Sequence, residues 1–426
     1  MQITKSERPH IAFFGCTNSG KSSLVNAITN QNLSVVSEVK GTTTDAVQKS
    51  MEILPLGPVV IIDTAGVNDE SKLGNLRIEA TKRILDKTDI AVLVVDSTVG
   101  LQKEDEDLIS KFEERKIPYI VVFNKSDLST PPIIQWAGEL GKEHEQYLPF
   151  QGAGNPDKEL EQYLPPQGAG ASSLQSISVS AKTGEGINEL REKLGHIINE
   201  NKKDKYIIRD RLNEGDVVVL VIPIDESAPK GRIILPQQNV LRECLDAKTI
   251  AICTQPAELE RVLQNITPKY VITDSQVFNK IKDIVPSNII LTSFSILMAN
   301  YKGNLNNLLK GAETISELKE GDNVLISEGC THHRQCNDIG TVKLPKWISD
   351  YTRKNINFEF TQGGEFPSDL SKYKLIIHCG GCMLNEAEMR SRQLKAKEQS
   401  IPMVNYGMAI AYMNGILKRS LEIFNE

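Results

Sequence analysis

Short, almost wholly apolar runs recur along this chain, each followed by a stretch whose apolar positions fall three or four residues apart. The runs at 11–14, 59–62, 90–95 and 119–123 have strand length, and 23–28 and 186–200 carry helical spacing. A charged stretch at 201–205 interrupts the pattern, which then restarts. Strands are predicted over 216–222, 249–253, 270–273 and 288–291, with helices over 238–245, 257–264 and 275–281. A third set follows, with strands over 322–327, 374–377 and 401–406 and a helix over 385–398. Strands that are apolar on both faces and alternate with helices belong to parallel sheets covered on both sides. The pattern therefore predicts an α/β chain of three domains, at 1–200, 205–292 and 293–426. No apolar run approaches the length of a membrane-spanning helix.

The turn after the first strand reads Gly15-Cys16-Thr17-Asn18-Ser19-Gly20-Lys21-Ser22, with Ser23 opening the helix. Glycines here let backbone amides wrap phosphates, Lys21 reaches the β and γ oxygens, and Ser22 offers a hydroxyl to Mg²⁺. The remaining motifs of a guanine-nucleotide switch arrive in order. Gly41-Thr42-Thr43-Thr44-Asp45 places Thr43 as the second hydroxyl on Mg²⁺. In Asp63-Thr64-Ala65-Gly66, Asp63 reaches Mg²⁺ through water and the Gly66 N–H senses the γ-phosphate. Asn124-Lys125-Ser126-Asp127 supplies a carboxylate, Asp127, that accepts from guanine N1–H and its exocyclic amine. Ser180-Ala181-Lys182 closes the base pocket with backbone N–H groups. Five weak motifs in the correct order predict GTP binding with Mg²⁺, with Lys21, Thr43 and Gly66 acting in hydrolysis.

This first domain resembles the translation-factor-related GTPases of the Era and tRNA-modification type, which share Gly-Thr-Thr and Asp-Thr-Ala-Gly. The resemblance implies that Asn18 helps bind K⁺, whose charge then sits where an arginine finger would. Val67 follows Gly66 where Ras-like enzymes carry a water-orienting glutamine, so intrinsic turnover is expected to be slow. Residues 145–154 recur as 161–170 with only Phe150 changed, to Pro166. The segment 145–170 reads as a loop insertion without a role in the chemistry.

The middle domain carries no Gly-rich loop, histidine or carboxylate cluster, which points to assembly. An unpaired edge of its parallel sheet is the expected contact of a homodimer. Charge adds little: a formal net charge of −6 gives no support for nucleic-acid binding. Seven cysteines in a large chain without a signal-peptide core favour a reducing cytoplasm over a disulfide framework.

Those cysteines cluster in the third domain. Cys330-Thr331-His332 follows the strand at 322–327, and His378-Cys379-Gly380-Gly381-Cys382 follows that at 374–377. Ligands in open α/β sheets gather beyond the carboxyl ends of strands. If these two strands are neighbours, three thiolates converge there. Zinc would take Cys₃His with His332 or His378, whereas an iron–sulfur cluster would take the three cysteines and an exchangeable fourth ligand. Cys336 is a further candidate for that fourth position. A redox dithiol of Cys379 and Cys382 has no use for Cys330.

Cys-x-His, a long gap, then His-Cys-x-x-Cys, behind an N-terminal GTPase and a middle α/β domain, resembles the FeFe-hydrogenase maturation GTPases (HydF) over the full chain. The resemblance implies a dimerisation domain at 205–292 and an iron–sulfur domain at 293–426. In it Cys330, Cys379 and Cys382 hold a 4Fe–4S cluster, with His332 and His378 as supporting residues or an occasional fourth ligand. It further implies a scaffold and carrier that receives a di-iron precursor bearing CO and cyanide and passes it to the apo-hydrogenase. Two radical-SAM maturases are then additional partners. The alternative is a GTPase of tRNA modification or ribosome assembly with a structural zinc domain, which calls for a basic RNA-facing patch. Turnover of GTP measured in K⁺ and in Na⁺ tests the role of Asn18: a faster rate in K⁺ is expected, and equal rates would remove it.

Overall fold

The computed structural model describes residues 5–30, 47–64, 74–129, 175–201, 205–224, 233–303, 305–330 and 338–425. Thr43, Gly66, His332, Cys336 and the repeated segment 145–170 lie outside the described residues.

Strands β1 (His10–Phe14), β2 (Val47–Ile53), β3 (Gly57–Asp63), β4 (Ile90–Asp96), β5 (Tyr119–Asn124) and β6 (Gln175–Ser178) form the first sheet, in the order β2-β3-β1-β4-β5-β6. Only β2 runs antiparallel to its neighbour; the pairings of β1 with β3 and β4, of β4 with β5 and of β5 with β6 are parallel. Helices α1 (Lys21–Thr29), α2 (Gly74–Leu85), α3 (Lys103–Glu114) and α4 (Ile187–Asn201) flank it. Successive strand residues face opposite sides, so the apolar runs split into two cores. Phe13, Val92 and Val94 pack with Leu24, Ile28, Leu190 and Leu194 on one face. On the other, Phe14, Leu93 and Val95 pack with Leu108 and Phe112.

The second sheet has the order β10-β9-β7-β8, from β7 (Val217–Val221), β8 (Ile250–Thr254), β9 (Tyr270–Thr273) and β10 (Ile290–Ser293), all parallel. Its helices are α5 (Leu235–Asp246), α6 (Leu259–Asn265), α7 (Phe278–Ile281) and α8 (Phe294–Lys302). β8 is an edge strand, and its Ile250 is 55% exposed. The third sheet is also parallel, in the order β12-β11-β13-β14. It is built from β11 (Asn323–Glu328), β12 (Asn357–Gln362), β13 (Leu375–His378) and β14 (Met403–Asn405). With it pack α9 (Leu305–Glu317), α10 (Leu344–Thr352), α11 (Glu386–Glu398) and α12 (Tyr406–Met413), whereas α13 (Leu417–Ser420) returns to β10 of the second sheet.

Three departures from the sequence reading concern the third domain and its boundary. The strand expected over 401–406 is shorter, because the Asn405 side chain accepts from the Met408 N–H at 2.8 Å and starts α12. β12 was absent from the prediction; it is an edge strand whose six residues are largely exposed, so its apolar signal is thin. The division at 293 also cuts through packed structure. Phe294, Leu297 and Met298 of α8 lie in the middle-domain core, and Ile423 at the far C-terminus returns to the same core. The Thr292 hydroxyl donates to the Ser420 carbonyl at 2.8 Å, and Arg211 donates to that of Ile423 at 3.1 Å.

Gly311 lets α9 lie directly on β14: a Cβ there would meet the Met403 carbonyl oxygen. Gly311→Ala is expected to destabilise the protein by about 1–3 kcal/mol, read as a lowered unfolding midpoint in denaturant. An unchanged midpoint would mean that the helix can retreat at no cost.

Candidate functional site

Backbone conformation builds the phosphate loop. Gly15, Asn18 and Gly20 all take left-handed φ values (137°, 66° and 89°), which folds the chain between β1 and α1 into a cradle of N–H groups. A Cβ at Gly15 would strike the Val94 carbonyl oxygen. Lys21 is buried and bends back over the loop, its Nζ donating to the carbonyls of Gly15 at 3.0 Å and Cys16 at 2.8 Å. Burial pushes the Lys21 ammonium below its ordinary pKa, opposed by Asp63, Cys16 and Asp105. Ser22 Oγ donates to Asp63 Oδ2 at 2.8 Å, so two of the predicted Mg²⁺ residues stand side by side. Among the described residues Asp63 Oδ1 and Ser19 Oγ are buried without a hydrogen-bond partner, which suits a cation at the first and a phosphate oxygen at the second. Burial raises the Asp63 pKa against the Ser22 bond and Lys21, as expected of a carboxylate that needs a cation. Ser23 is exposed on the first turn of α1.

The base end is assembled from loops after β5 and β6. Buried Asn124 links them: its Nδ2 donates to the Ser19 carbonyl at 3.0 Å and its Oδ1 accepts from the Ala181 N–H at 3.0 Å. Asp127 Oδ1 accepts from Ser180 Oγ at 2.7 Å, and that hydroxyl also accepts from the Thr183 N–H. Lys125 is anchored by Asp96 at 2.5 Å, while Lys182 is exposed beside the pocket. Two further residues escaped the sequence reading. Asp96 ends an apolar strand, a position that marks functional groups in such sheets. Asp105 lies buried under the loop, accepting from Cys16 Sγ at 3.6 Å, with nothing in its charged helix sequence to single it out.

In the third domain β11 and β13 are neighbours, with Ser327 opposite His378, so Cys330 and Cys379 leave adjacent strand ends. The Cys379 N–H donates to the Ser327 carbonyl at 2.9 Å. Its sulfur receives the N–H groups of Gly329 at 3.0 Å and Gly381 at 3.4 Å. Burial lifts the Cys379 thiol to about 11, against the Gly329 amide. Gly381 has φ 63°, and a Cβ there would sit 2.6 Å from Met389 Sδ. Among the described residues no three His, Cys, Asp or Glu side chains are gathered closely enough to hold a metal ion. Strand adjacency is therefore as predicted, whereas convergence of three ligands is not seen. The donor chemistry nonetheless fits a thiolate-bound group, since paired amides on a sulfur stabilise its anion.

His378 is fully buried and both ring nitrogens are committed. Arg392 Nη1 can only donate, at 2.9 Å, so Nε2 accepts and the Nδ1–H donates to the Cys379 carbonyl at 2.8 Å. Burial and the Arg392 cation together hold its pKa down near 3, so it is neutral. In this arrangement neither nitrogen is free for a metal; the ring braces the strand end. Arg392 in turn donates to Glu388 at 2.7 Å and to the Gly363 carbonyl at 2.5 Å. The cysteine loop is also gripped by Lys302 of the middle domain. This buried ammonium donates to the carbonyls of Gly381 at 3.0 Å, Cys382 at 3.3 Å and Leu384 at 2.7 Å. A single Lys at the end of an otherwise apolar helix was the available signal.

Fold and site together define a P-loop GTPase domain followed by two parallel α/β domains, the second with cysteines at adjacent strand ends. Residues 10–125 match the family model of the 50S ribosome-binding GTPases. Residues 207–303 match the hydrogen maturase F dimerization domain, and 306–423 the hydrogen maturase F tetramerization domain. The chain belongs to the hydrogen maturase F family. Among curated relatives, GTPase Der of Kosmotoga olearia is 42% identical over 123 residues, 28% of this chain and 28% of that protein. The tRNA modification GTPase MnmE of Helicobacter acinonychis is 39% identical over 130 residues, 30% of this chain and 29% of that protein. The chain thus spans less than a third of the length of either relative. Among solved structures, Era of Aquifex aeolicus is 19% identical with a TM-score of 0.32, covering 58% of this chain and 92% of that one.

Lys302→Met is expected to loosen the loop at 380–384, raising its amide exchange about tenfold or more while the protein keeps its oligomeric state. Unchanged exchange would show that the loop holds its shape without the ammonium.

Proposed function

We propose that this protein hydrolyses GTP and uses the nucleotide cycle to govern a metallocluster at the carboxyl edge of its third sheet. Lys21 acts on the β and γ oxygens, Thr43 joins Ser22 and Asp63 on Mg²⁺, and the Gly66 N–H senses the γ-phosphate. Asn18 takes K⁺, and Asp127 with Ser180, Ala181 and Lys182 selects guanine. Cys330, Cys379 and Cys382 hold a 4Fe–4S cluster, with His332 as the candidate for the fourth position and His378 as a brace behind Cys379. Bound there, the cluster supplies an exchangeable iron position for the cargo that the family resemblance implies, a di-iron precursor carrying CO and cyanide. Two radical-SAM maturases and the apo-FeFe-hydrogenase are the partners in this reading. The exposed edge at β8 is the surface for a homodimer. Among the described residues no helix is long and apolar enough to cross a membrane, and the working compartment in this reading is the cytoplasm.

The observation that carries this proposal is the Cys379 sulfur under two backbone amides, beside the strand that delivers Cys330, in a chain of the hydrogen maturase F family. The curated relatives Der and MnmE match only the GTPase part, so they favour no RNA role for the rest.

Anaerobic reconstitution followed by iron and acid-labile sulfide analysis tests it. About four irons and four sulfides per chain are expected, with an EPR signal on reduction. Cys379→Ala is expected to lose them while GTP turnover stays within about twofold, because the two sites are built on separate sheets. Stoichiometric zinc without sulfide would overturn the cluster in favour of a structural metal.

A further inference from the structure

The GTPase domain touches the cysteine domain at one end of α2, the helix that follows the Asp63–Gly66 motif. Past the end of α2 the chain runs Asp86-Lys87-Thr88-Asp89 before entering β4. Three of these four residues bond to α11, the helix that begins four residues after Cys382. Asp86 Oδ1 accepts from Arg115 of its own domain at 2.6 Å and from Ser391 Oγ at 2.8 Å, while Oδ2 accepts from Lys395. Burial alone would raise the Asp86 pKa, but the bonds and charge of Lys395, with Ser391 and Arg115, outweigh it and hold the carboxyl below its ordinary value. Lys87 contributes its carbonyl, and its Nζ lies 3.9 Å from Glu388 Oε2.

Asn385 is the centre of this seam. It is 4% exposed, and its Oδ1 accepts from the Glu388 N–H at 3.1 Å, capping α11. Its Nδ2 donates to the Lys87 carbonyl at 2.8 Å and to Asp89 Oδ2 at 3.0 Å. That same Asp89 oxygen accepts from the N–H of His10 at 2.9 Å, the first residue of the strand that ends at the phosphate loop. One amide side chain therefore joins the start of β1, the end of α2 and the helix behind the cysteine loop. A second thread runs alongside: Ser6 Oγ donates to the Cys382 carbonyl at 2.8 Å.

We propose that Asn385 is a positioning residue through which the GTPase domain sets the shape of the Cys379–Cys382 loop according to the bound nucleotide, with Asp86 as the anchor of the contact. The inference deepens the reading above by naming the route of its regulation, and so rests on it for meaning. In GTPases the segment after the Asp-x-x-Gly motif is the part that answers to the γ-phosphate. Here the far end of the helix that follows it is bonded to α11 rather than left in solvent. A shift of α2 must either carry α11 with it or break bonds to a buried amide, whose unpaired N–H groups cost about 1–3 kcal/mol. Both outcomes change what Asn385 and Leu384 present to the loop, and Leu384 is in turn held by Lys302.

The cap and the seam can be separated chemically. Asn385→Asp keeps an oxygen for the Glu388 N–H but removes both donors and sets a carboxylate against Asp89. Asp86→Ala removes the anchor without touching the cap. The test is hydrogen exchange on the full-length apo-protein, with GDP and then with a non-hydrolysable GTP analogue, read over 379–398. Wild type is expected to differ between the two nucleotides by about fivefold or more in this segment. Both variants are expected to lose that difference while GTP turnover stays within about twofold. Identical exchange in the two nucleotide states of wild type, or a difference that survives in Asn385→Asp, would overturn the proposal. Because the readout needs no iron, failure of the cluster assignment leaves this result separately legible.

Discussion

Parallel strand pairing is the constraint on which the rest of this molecule depends. A parallel sheet needs helical crossovers, and the crossovers cover both faces, so the strand ends are where polar chemistry can meet solvent. Phosphate loop, Asp63, Asn124 and Ser180 all lie at or just past the carboxyl ends of strands in the first sheet. Gly329, Cys330 and Cys379 lie in the same relation to the third. The middle sheet ends on β8 at one edge, and residues 207–303 match a dimerization domain.

The middle and third sheets share one apolar core, in which Val219 and Val271 meet Ile326 and Ile376, and buried polar groups then fix the functional loops and the GTPase domain against it. Asn124 fixes the phosphate loop to the base loop, Lys302 fixes the middle domain to the cysteine loop, and Asn385 fixes the GTPase domain to the helix behind it. Each is a small side chain or a single ammonium with its donors satisfied by backbone carbonyls or a carboxylate. Such groups contribute modestly when paired and cost more when left unpaired, so they specify one relative placement more than they add stability. The His378–Arg392–Glu388 network does the same within the third domain: a neutral imidazole orients the Cys379 carbonyl because a guanidinium blocks its other nitrogen.

Most of the fold was legible along the chain because its strands are buried on both faces and so read as uninterrupted apolar runs. Every predicted strand of the first and middle domains has its counterpart, shifted by a residue or two. The departures have separate causes. β12 is a largely exposed edge that leaves no apolar run to register, whereas the run at 401–406 overshoots β14 because the Asn405 cap, not a loss of apolar residues, ends the strand. The boundary at 293 misplaced α8, since a helix shared between two cores carries the same periodicity whichever domain it serves.

By itself the sequence determined the chemistry available: phosphate loop, base-recognition motif and cysteine pairs are local strings, each doing its work through backbone shape or side-chain type. Tertiary structure alone decided how those strings meet. Nothing in Asp86, Asn385 or Lys302 as residues distinguishes them from solvated surface groups, because the partners that give each its role lie hundreds of residues away or in another domain. His378 shows the same limit from the other side. Next to two cysteines it reads as a ligand, and only the burial of Arg392 against its Nε2 turns it into a brace.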